Sequence, residues 1–315
     1  MTKTPPTDIR IAENVKRVLR EQGPVVALES TVIAHGLPYP INLETALACE
    51  SIVRKHGATP ATIGIIDGAP TIGLSEDEIK QFAARELPDG SSIEKVGLNN
   101  LAAVLTRGGW GATTVASSLK LAQAAGVRVF STGGIGGVHR GAAQSFDISA
   151  DLSALGNTPL VCVCAGAKAI LDLTKTVEHL ETLGVPVLGY RTNEFPAFYS
   201  RTSGLPVDAS VENPEEAAAI AIRNWKLGSC TAVLVCAPVP AEFEIRCEEV
   251  EDAIDQAMTA AGHQGIRGKA LTPFLLSQLE MLTNGKTLEA NRALLVNNAS
   301  IAANIALSLT GQPLK

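Results

Sequence analysis

Lys168 is the only charged residue in the run Val163-Cys164-Ala165-Gly166-Ala167-Lys168-Ala169-Ile170-Leu171. An amine held among such neighbours loses water, and desolvation lowers an amine's pKa. A neutral amine near pH 7 is a nucleophile that can form a Schiff base with a sugar aldehyde. The competing reading is a lysine at a helix start whose head reaches back to water along its own stem. Glu29 is the second residue of interest, because it directly follows the apolar run 25–28. A carboxylate at the end of a buried strand is costly unless it is paired or used. Ile33-Ala34-His35-Gly36, Pro38 and Pro40 follow, a shaped loop rather than a solvated one.

Between these two lies Ser131-Thr132-Gly133-Gly134-Ile135-Gly136-Gly137-Val138-His139-Arg140-Gly141, then Asp147 and Asp151 around Ser149. Successive backbone N–H groups free of side chains make a nest for an anion such as phosphate, with Thr132, His139 and Arg140 as further donors. The spacing is neither G-x-G-x-x-G, since position 139 is His, nor a P-loop. A turn needing positive φ, or a close approach of backbone to something else, would use the same glycines. Near the end of the chain, Asn291 and Asn298 fall seven residues apart on one helix face. Such amides can read a nucleobase edge. Asn297 and Asn298 are assigned instead to satisfying buried backbone.

These residues need strands that end beside one another. Apolar β-type runs are expected at 25–28, 62–66, 127–130, 160–164, 185–190 and 231–236, with 71–74 pairing back on 62–66 and a short strand at 92–96 carrying Lys95. Helices are expected at 8–22, 42–56 (capped near Asn42), 75–86, 99–106, 113–125, 174–183, 214–226, 248–261, 272–283 and 286–309. Ser75 and Glu78 form a capping box. The loop 191–203, which holds Phe195, Phe198 and Tyr199, is expected to line a pocket or a subunit contact. Alternation of strand and helix without linker or repeat predicts a three-layer α/β/α sandwich on a large, mostly parallel (mixed) sheet, in a single domain, 1–315.

Composition limits the function. A formal charge of −6 argues against a nucleic-acid surface, and 4% aromatics against a base-stacking platform. The six cysteines include no C-x-x-C, so zinc and dithiol chemistry are not expected; buried free thiols in a reducing cytoplasm are. No run is long and apolar enough for a membrane span, and from the polar, proline-bearing start no signal peptide is expected.

The motifs VALESTVIAHGLPYP, TVAS, STGGIGGVHRG, FDISADL, VCAGAKAILDL, GYRTNEFPAFYSRTSG, GKALTPFLL and NRALLVNNA together resemble the pseudouridine-5′-phosphate glycosidase, or indigoidine-synthase-A-like, family over nearly the whole chain. The resemblance implies reversible cleavage of the C–C bond of pseudouridine 5′-phosphate to uracil and ribose 5-phosphate. It also implies one Mn²⁺ or other divalent cation such as Mg²⁺ per subunit, and a homotrimer. Carried over motif by motif, it makes Lys168 the nucleophile, Glu29 the general acid and Asp147 the metal ligand. It makes Lys95, Val115, Thr132, His139, Ser149, Ala150, Asp151 and Asn291 substrate contacts. One stretch departs: many members read Lys-Val-Ser-Arg-Arg-Asp where this chain has Lys95-Val96-Gly97-Leu98-Asn99-Asn100.

Other readings of the same residues are a C-glycosynthase joining ribose 5-phosphate to another acceptor, a Schiff-base aldolase on a sugar phosphate, and a sugar-phosphate-binding protein without activity. Uracil release separates glycosidase from aldolase. Binding without a trappable imine marks the inactive protein.

Overall fold

The computed structural model describes residues 9–87, 89–266 and 271–311, so Gly268, Lys269 and Ala270 of the GKALTPFLL motif lie outside the described residues. Its strands are β1 (Arg10–Ile11), β2 (Val25–Leu28), β3 (Thr59–Ile66), β4 (Ala69–Ile72), β5 (Glu94–Val96), β6 (Gly111–Thr113), β7 (Val129–Ser131), β8 (Val138–His139), β9 (Val161–Cys164), β10 (Leu171–Asp172), β11 (Val187–Tyr190), β12 (Ala209–Val211) and β13 (Val233–Cys236). The helices are α1 (Glu13–Arg20), α2 (Ile41–Lys55), α3 (Glu76–Ala84), α4 (Leu101–Arg107), α5 (Val115–Ala125), α6 (Ala142–Ser145), α7 (Ala150–Leu155), α8 (Leu173–Thr182), α9 (Pro214–Lys226), α10 (Cys247–Gln264), α11 (Leu271–Leu282) and α12 (Lys286–Ser308).

The main sheet has the order β1-β4-β3-β2-β7-β9-β13-β11-β12, with β6 on β3 and β5 on β6. From β3 to β12 every pairing is parallel. The far half of β3 pairs antiparallel with β4 and β6, which makes the sheet mixed. Strands β2, β9 and β13 read VVAL, VCVC and VLVC and are buried at every residue, as a sheet covered on both faces requires. Helices α2, α9 and α12 pack together on one side, and α5 and α7 on the other. Helix α12 lies against β2, β7 and β9, and its alanines 290, 299, 302, 303 and 306 are buried there.

The starts of α1 and α2 are among those that differ from the sequence expectation. Helix α1 begins at Glu13, because Arg10 and Ile11 pair with Thr71 and Ile72 and so occupy the open edge of β4. Asn42 is not a cap. Its buried amide donates to the carbonyls of Ile33 at 2.8 Å and Ala83 at 2.9 Å, tying α2 to the loop after β2. The capping box at Ser75 and Glu78 forms as expected. Cys49, Cys162, Cys164 and Cys236 are buried free thiols, whereas Cys230 is exposed and Cys247 half-buried. Among the described residues no helix is long and apolar enough to cross a membrane.

Candidate active site

Three neighbouring parallel strands deliver the chemistry. In register, Leu28 of β2 faces Ser131 of β7, and Ser131 faces Val163 of β9. The residues that leave the sheet there are Glu29, Thr132 and, at the end of a short loop, Lys168. The chain passes from β2 outward to β3 and later returns to β7 on the other side of β2, so strand order reverses between β2 and β7. Open parallel sheets bind ligands at such a reversal, beyond the carboxyl ends of their strands.

The loop that carries Lys168 is held by backbone. Ile135 N–H donates to Gly166 O at 3.1 Å, and Lys168 N–H donates to Ile135 O at 3.1 Å. Gly166 has φ +84, and a Cβ there would lie 2.1 Å from Pro196 O, so this position of the CAGAK motif requires glycine. After β2 the chain makes one π-helical turn, Val32–Gly36, closed by Leu37 N–H to Val32 O at 3.1 Å. Such turns re-aim side chains at functional sites, and this one brings His35 back over the strand ends.

The glycine run does not form the anion nest that its composition allows. None of Gly133, Gly134, Gly136 and Gly137 has positive φ. Gly136 N–H donates to Asp151 Oδ2 at 2.8 Å and Ile135 N–H is used in the loop. The glycines are there for close approach. A Cβ at Gly134 would lie 2.6 Å from the Phe198 ring, one at Gly136 2.2 Å from Ser149 Oγ, and one at Gly137 2.4 Å from Thr176 Oγ1. Arg140 also turns away. Its guanidinium makes two 2.8 Å bonds to Glu251 of α10 and one of 3.3 Å to Ala169 O.

Glu29 is buried and accepts a hydrogen bond from Thr132 Oγ1. Burial raises its pKa above the usual carboxyl range, against the opposing pull of Lys168, the Thr132 hydroxyl and Lys95. The group is thereby biased toward its protonated form. Lys168 is half-buried, and among the described residues its ammonium makes no hydrogen bond or ion pair.

Glu29, Thr31, Lys95 and Lys168 line two lobes at once. The larger, of about 340 Å³, is the more polar of the two, with His139, Asp147 and Ser149 in its wall. The smaller, of about 60 Å³, is lined by Thr132, Gly133, Gly134, His35, Phe198, Leu276 and Asn291. In the larger lobe His139 Nδ1 stands 3.9 Å from Asp147 Oδ2, and the Asp147 side chain is 45% exposed. Among the described residues no three His, Cys, Asp or Glu side chains gather as a metal cluster. Asp151 forms part of the wall, and its two oxygens accept Ala116 N–H at 2.9 Å and Gly136 N–H at 2.8 Å.

All eleven residues singled out above line these lobes: Glu29, Lys95, Val115, Thr132, His139, Asp147, Ser149, Ala150, Asp151, Lys168 and Asn291. Asn298 takes the structural role expected of it, donating to Thr132 O at 2.9 Å. Sequence reasoning left out Thr31, His35, Asn99, Thr114 and Leu276. His35 could have been found from its position one turn beyond Glu29. Asn99 and Gly97 show that the departing loop after Lys95 does reach the polar lobe, where Asn100 braces it through Gly97 N–H (2.9 Å) and Lys95 O (3.1 Å).

Known proteins resemble this chain over nearly its whole length. A model of the indigoidine synthase A like protein family matches residues 14–308. The pseudouridine-5′-phosphate glycosidase of Caldanaerobacter subterraneus subsp. tengcongensis is 52% identical over 301 residues, 96% of each chain. That of Geobacillus kaustophilus is 49% identical over 299 residues, 95% of this chain and 98% of its own. Among solved structures, the prealnumycin C-glycosynthase AlnA in complex with ribulose 5-phosphate superposes with a TM-score of 0.88 at 37% identity, over 97% of this chain and 98% of its own. An indigoidine synthase A-like protein from Thermotoga maritima superposes with a TM-score of 0.87 at 36% identity, over 98% of this chain and all of its own, 100%. With its family match spanning all but the two ends, and an enzyme's strand-end site beneath it, the chain belongs to the indigoidine synthase A like family.

Proposed function

We propose that the protein reversibly cleaves the C–C glycosidic bond of pseudouridine 5′-phosphate, giving uracil and ribose 5-phosphate. The observation that carries this reading is the meeting of Glu29 and Lys168 at the wall between a polar lobe and a smaller, more apolar one. The polar lobe suits a ribose phosphate, with Lys95, His139 and Ser149 as donors. The smaller lobe suits a planar base, with apolar contact from Phe198 and Leu276 and an amide from Asn291. The naming of relatives 52% and 49% identical supports the same substrate.

The bond to be broken has no heteroatom leaving group, so the sugar carbon must be taken by the enzyme. Lys168 Nζ attacks C1′, the C1′–O4′ bond breaks, and Glu29 gives its proton to the ring oxygen. The attacking nitrogen, an ammonium after the bond forms, returns a proton to the Glu29 carboxylate and a proton is delivered to uracil C5; the freed nitrogen lone pair then forms a C1′=N iminium as the C1′–C5 bond breaks. Water adds to the iminium, releasing ribose 5-phosphate and the free amine, so one water is consumed overall. Burial suits Glu29 to the acid role by keeping its proton on. An unpaired amine suits Lys168 to attack.

A divalent cation belongs to this reading. One half-exposed carboxylate with an imidazole nearby fits a hard cation that keeps most of its water, as Mg²⁺ or Mn²⁺ does. Asp147 would hold it, and its charge would offset that of the phosphate. The homotrimer and the cytoplasmic setting are further parts of the proposal, and light scattering tests the first.

The experiment is incubation with pseudouridine 5′-phosphate, with uracil followed by chromatography, beside borohydride reduction in the presence of ribose 5-phosphate. Uracil release with a reduced adduct on the Lys168 peptide is expected. Uracil without an adduct overturns the imine. An adduct without uracil points to an aldolase, and neither overturns the whole reading.

A further inference from the structure

Arg140 follows His139 in the chain but lines neither lobe of the site. Its guanidinium is nevertheless tied to the residue beside the proposed nucleophile. An Nη2 N–H donates to the carbonyl of Ala169, directly after Lys168, at 3.3 Å. Two bonds of 2.8 Å form a fork on the Glu251 carboxylate. Asp255, one turn further along α10, stands 3.9 Å away. The arginine Nε is buried, and 29% of the side chain is exposed.

The local fold gives this contact leverage on Lys168. Strands β8 and β10 form a two-stranded antiparallel ribbon, in which His139 pairs with Leu171 and Val138 with Asp172. In an antiparallel pair the residues after His139 lie beside those before Leu171, so Arg140 leaves the ribbon on the side of Ala169 and Lys168. A ribbon of two strands is marginal by itself. The Lys168 backbone is held by its own N–H to Ile135 O at 3.1 Å and by Leu171 N–H to Lys168 O at 3.0 Å. The bond from Arg140 adds a hold on the next peptide. An arginine left to itself would spread over many rotamers. The bidentate bond to Glu251 fixes the plane of the guanidinium in advance, with Nη2 directed at Ala169 O.

We propose that Arg140 is a positioning residue for the covalent step: Glu251 orients its guanidinium, the guanidinium holds Ala169 O, and that hold keeps Lys168 Nζ directed at C1′ of the sugar. Neither Arg140 nor Glu251 meets the substrate. The inference rests on the proposed reaction at Lys168 and adds a route by which α10, outside both lobes, bears on its rate. Because no bond to the substrate is involved, the effect falls on kcat rather than on binding. It is also equal for substrates with and without the phosphate. A phosphate contact, the role that the neighbouring His139 suggests for this arginine, would act on the phosphorylated substrate alone.

The test compares wild type, Arg140→Gln, Glu251→Ala and the double variant. Uracil release is followed from pseudouridine 5′-phosphate and from pseudouridine, beside the rate at which ribose 5-phosphate and borohydride label Lys168. Arg140→Gln should lower kcat and the labelling rate roughly tenfold, the lower end for a hydrogen bond to a charged group. KM should be unchanged, and kcat/KM should fall by the same factor on both substrates. Glu251→Ala should lower both rates about two- to fivefold, the range of an exposed ion pair. Since Glu251 acts through Arg140, the double variant should be no slower than Arg140→Gln alone. A loss confined to KM for the phosphorylated substrate would make Arg140 a phosphate contact and overturn the inference. A lower Tm with the labelling rate untouched, the mark of a purely structural ion pair, would also overturn it, as would losses that multiply in the double variant. If Arg140→Gln does not fold, Glu251→Ala decides on the same rates, since its side chain is 53% exposed and its loss leaves no buried gap. A wild type that neither releases uracil nor is labelled shows instead that the proposed reaction is wrong, and the inference falls with it.

Discussion

Thr132 donates its hydroxyl hydrogen bond to the buried carboxylate of Glu29, and the two residues are neighbours because Leu28 and Ser131, one position earlier on each, are paired in the sheet. The bond favours the ionised form of Glu29, while burial favours the neutral form more strongly. Sheet register therefore sets the acidity of the proposed general acid.

Removing that bond should push the Glu29 pKa higher still. In Thr132→Val the alkaline limb of the kcat/KM–pH profile, where the acid form is lost, should move to higher pH. Glu29→Gln should lower kcat by about 10²–10⁴-fold and remove the limb. The sign for stability follows from linkage. A carboxyl whose folded pKa is raised contributes stability at low pH, and the contribution is lost as pH rises through the folded value. Glu29→Gln should therefore unfold at a higher temperature than wild type at pH 8, and a lower Tm there would contradict the assignment.

Lys168→Ala should lose turnover by on the order of 10³-fold or more, the scale of losing a nucleophile that acts with its acid as a unit. It should also lose the borohydride-trapped adduct while keeping the wild-type circular dichroism spectrum. Near-normal turnover would exclude covalent catalysis through this residue.

Lys95 lines both lobes beside Lys168. If its ammonium meets the phosphate, Lys95→Ala should cost about 1.5–3 kcal/mol on pseudouridine 5′-phosphate and little on pseudouridine. The measurement is kcat/KM for both substrates on both proteins. Equal losses would move Lys95 away from the phosphate.

Asp147→Ala should abolish saturable Mn²⁺ binding in a calorimetric titration. In the wild type, EDTA should suppress activity and Mn²⁺ restore it. Full activity in EDTA would remove the cation from the proposal.

The glycine run offers a test of packing against anion binding. Gly136→Ala forces a Cβ to within 2.2 Å of Ser149 Oγ and 2.8 Å of Asp151 Oδ2, and should destabilise the fold by about 1–3 kcal/mol. Gly109→Ala, with nothing within 4 Å of the added atom, is the control and should be nearly neutral. Denaturant midpoints decide the matter. A Gly136→Ala protein of wild-type stability would mean that the strand-end loops can part.

Much of this protein was determined by local sequence alone. Short uninterrupted runs rich in valine, such as VCVC and VLVC, favour strands covered on both faces, and their alternation with helices leaves few folds open. Ser75 and Glu78 carry their helix start in four residues. The lysine among small apolar residues and the glutamate after a buried strand are also visible one segment at a time, because local polarity is unusual at both. Strand pairing belongs to the tertiary structure, because it joins segments separated by other elements in the chain, β2 to β7 and β7 to β9. It decided that Glu29, Thr132 and Lys168 share one cavity. It turned Arg140 out to Glu251 and left His35 Nε2 without a hydrogen-bond partner among the described residues. It also gave the glycines their use, since close approach depends on which side chains the fold brings against the backbone: Phe198 and Thr176 come from elements far along the chain, and no local pattern announces them.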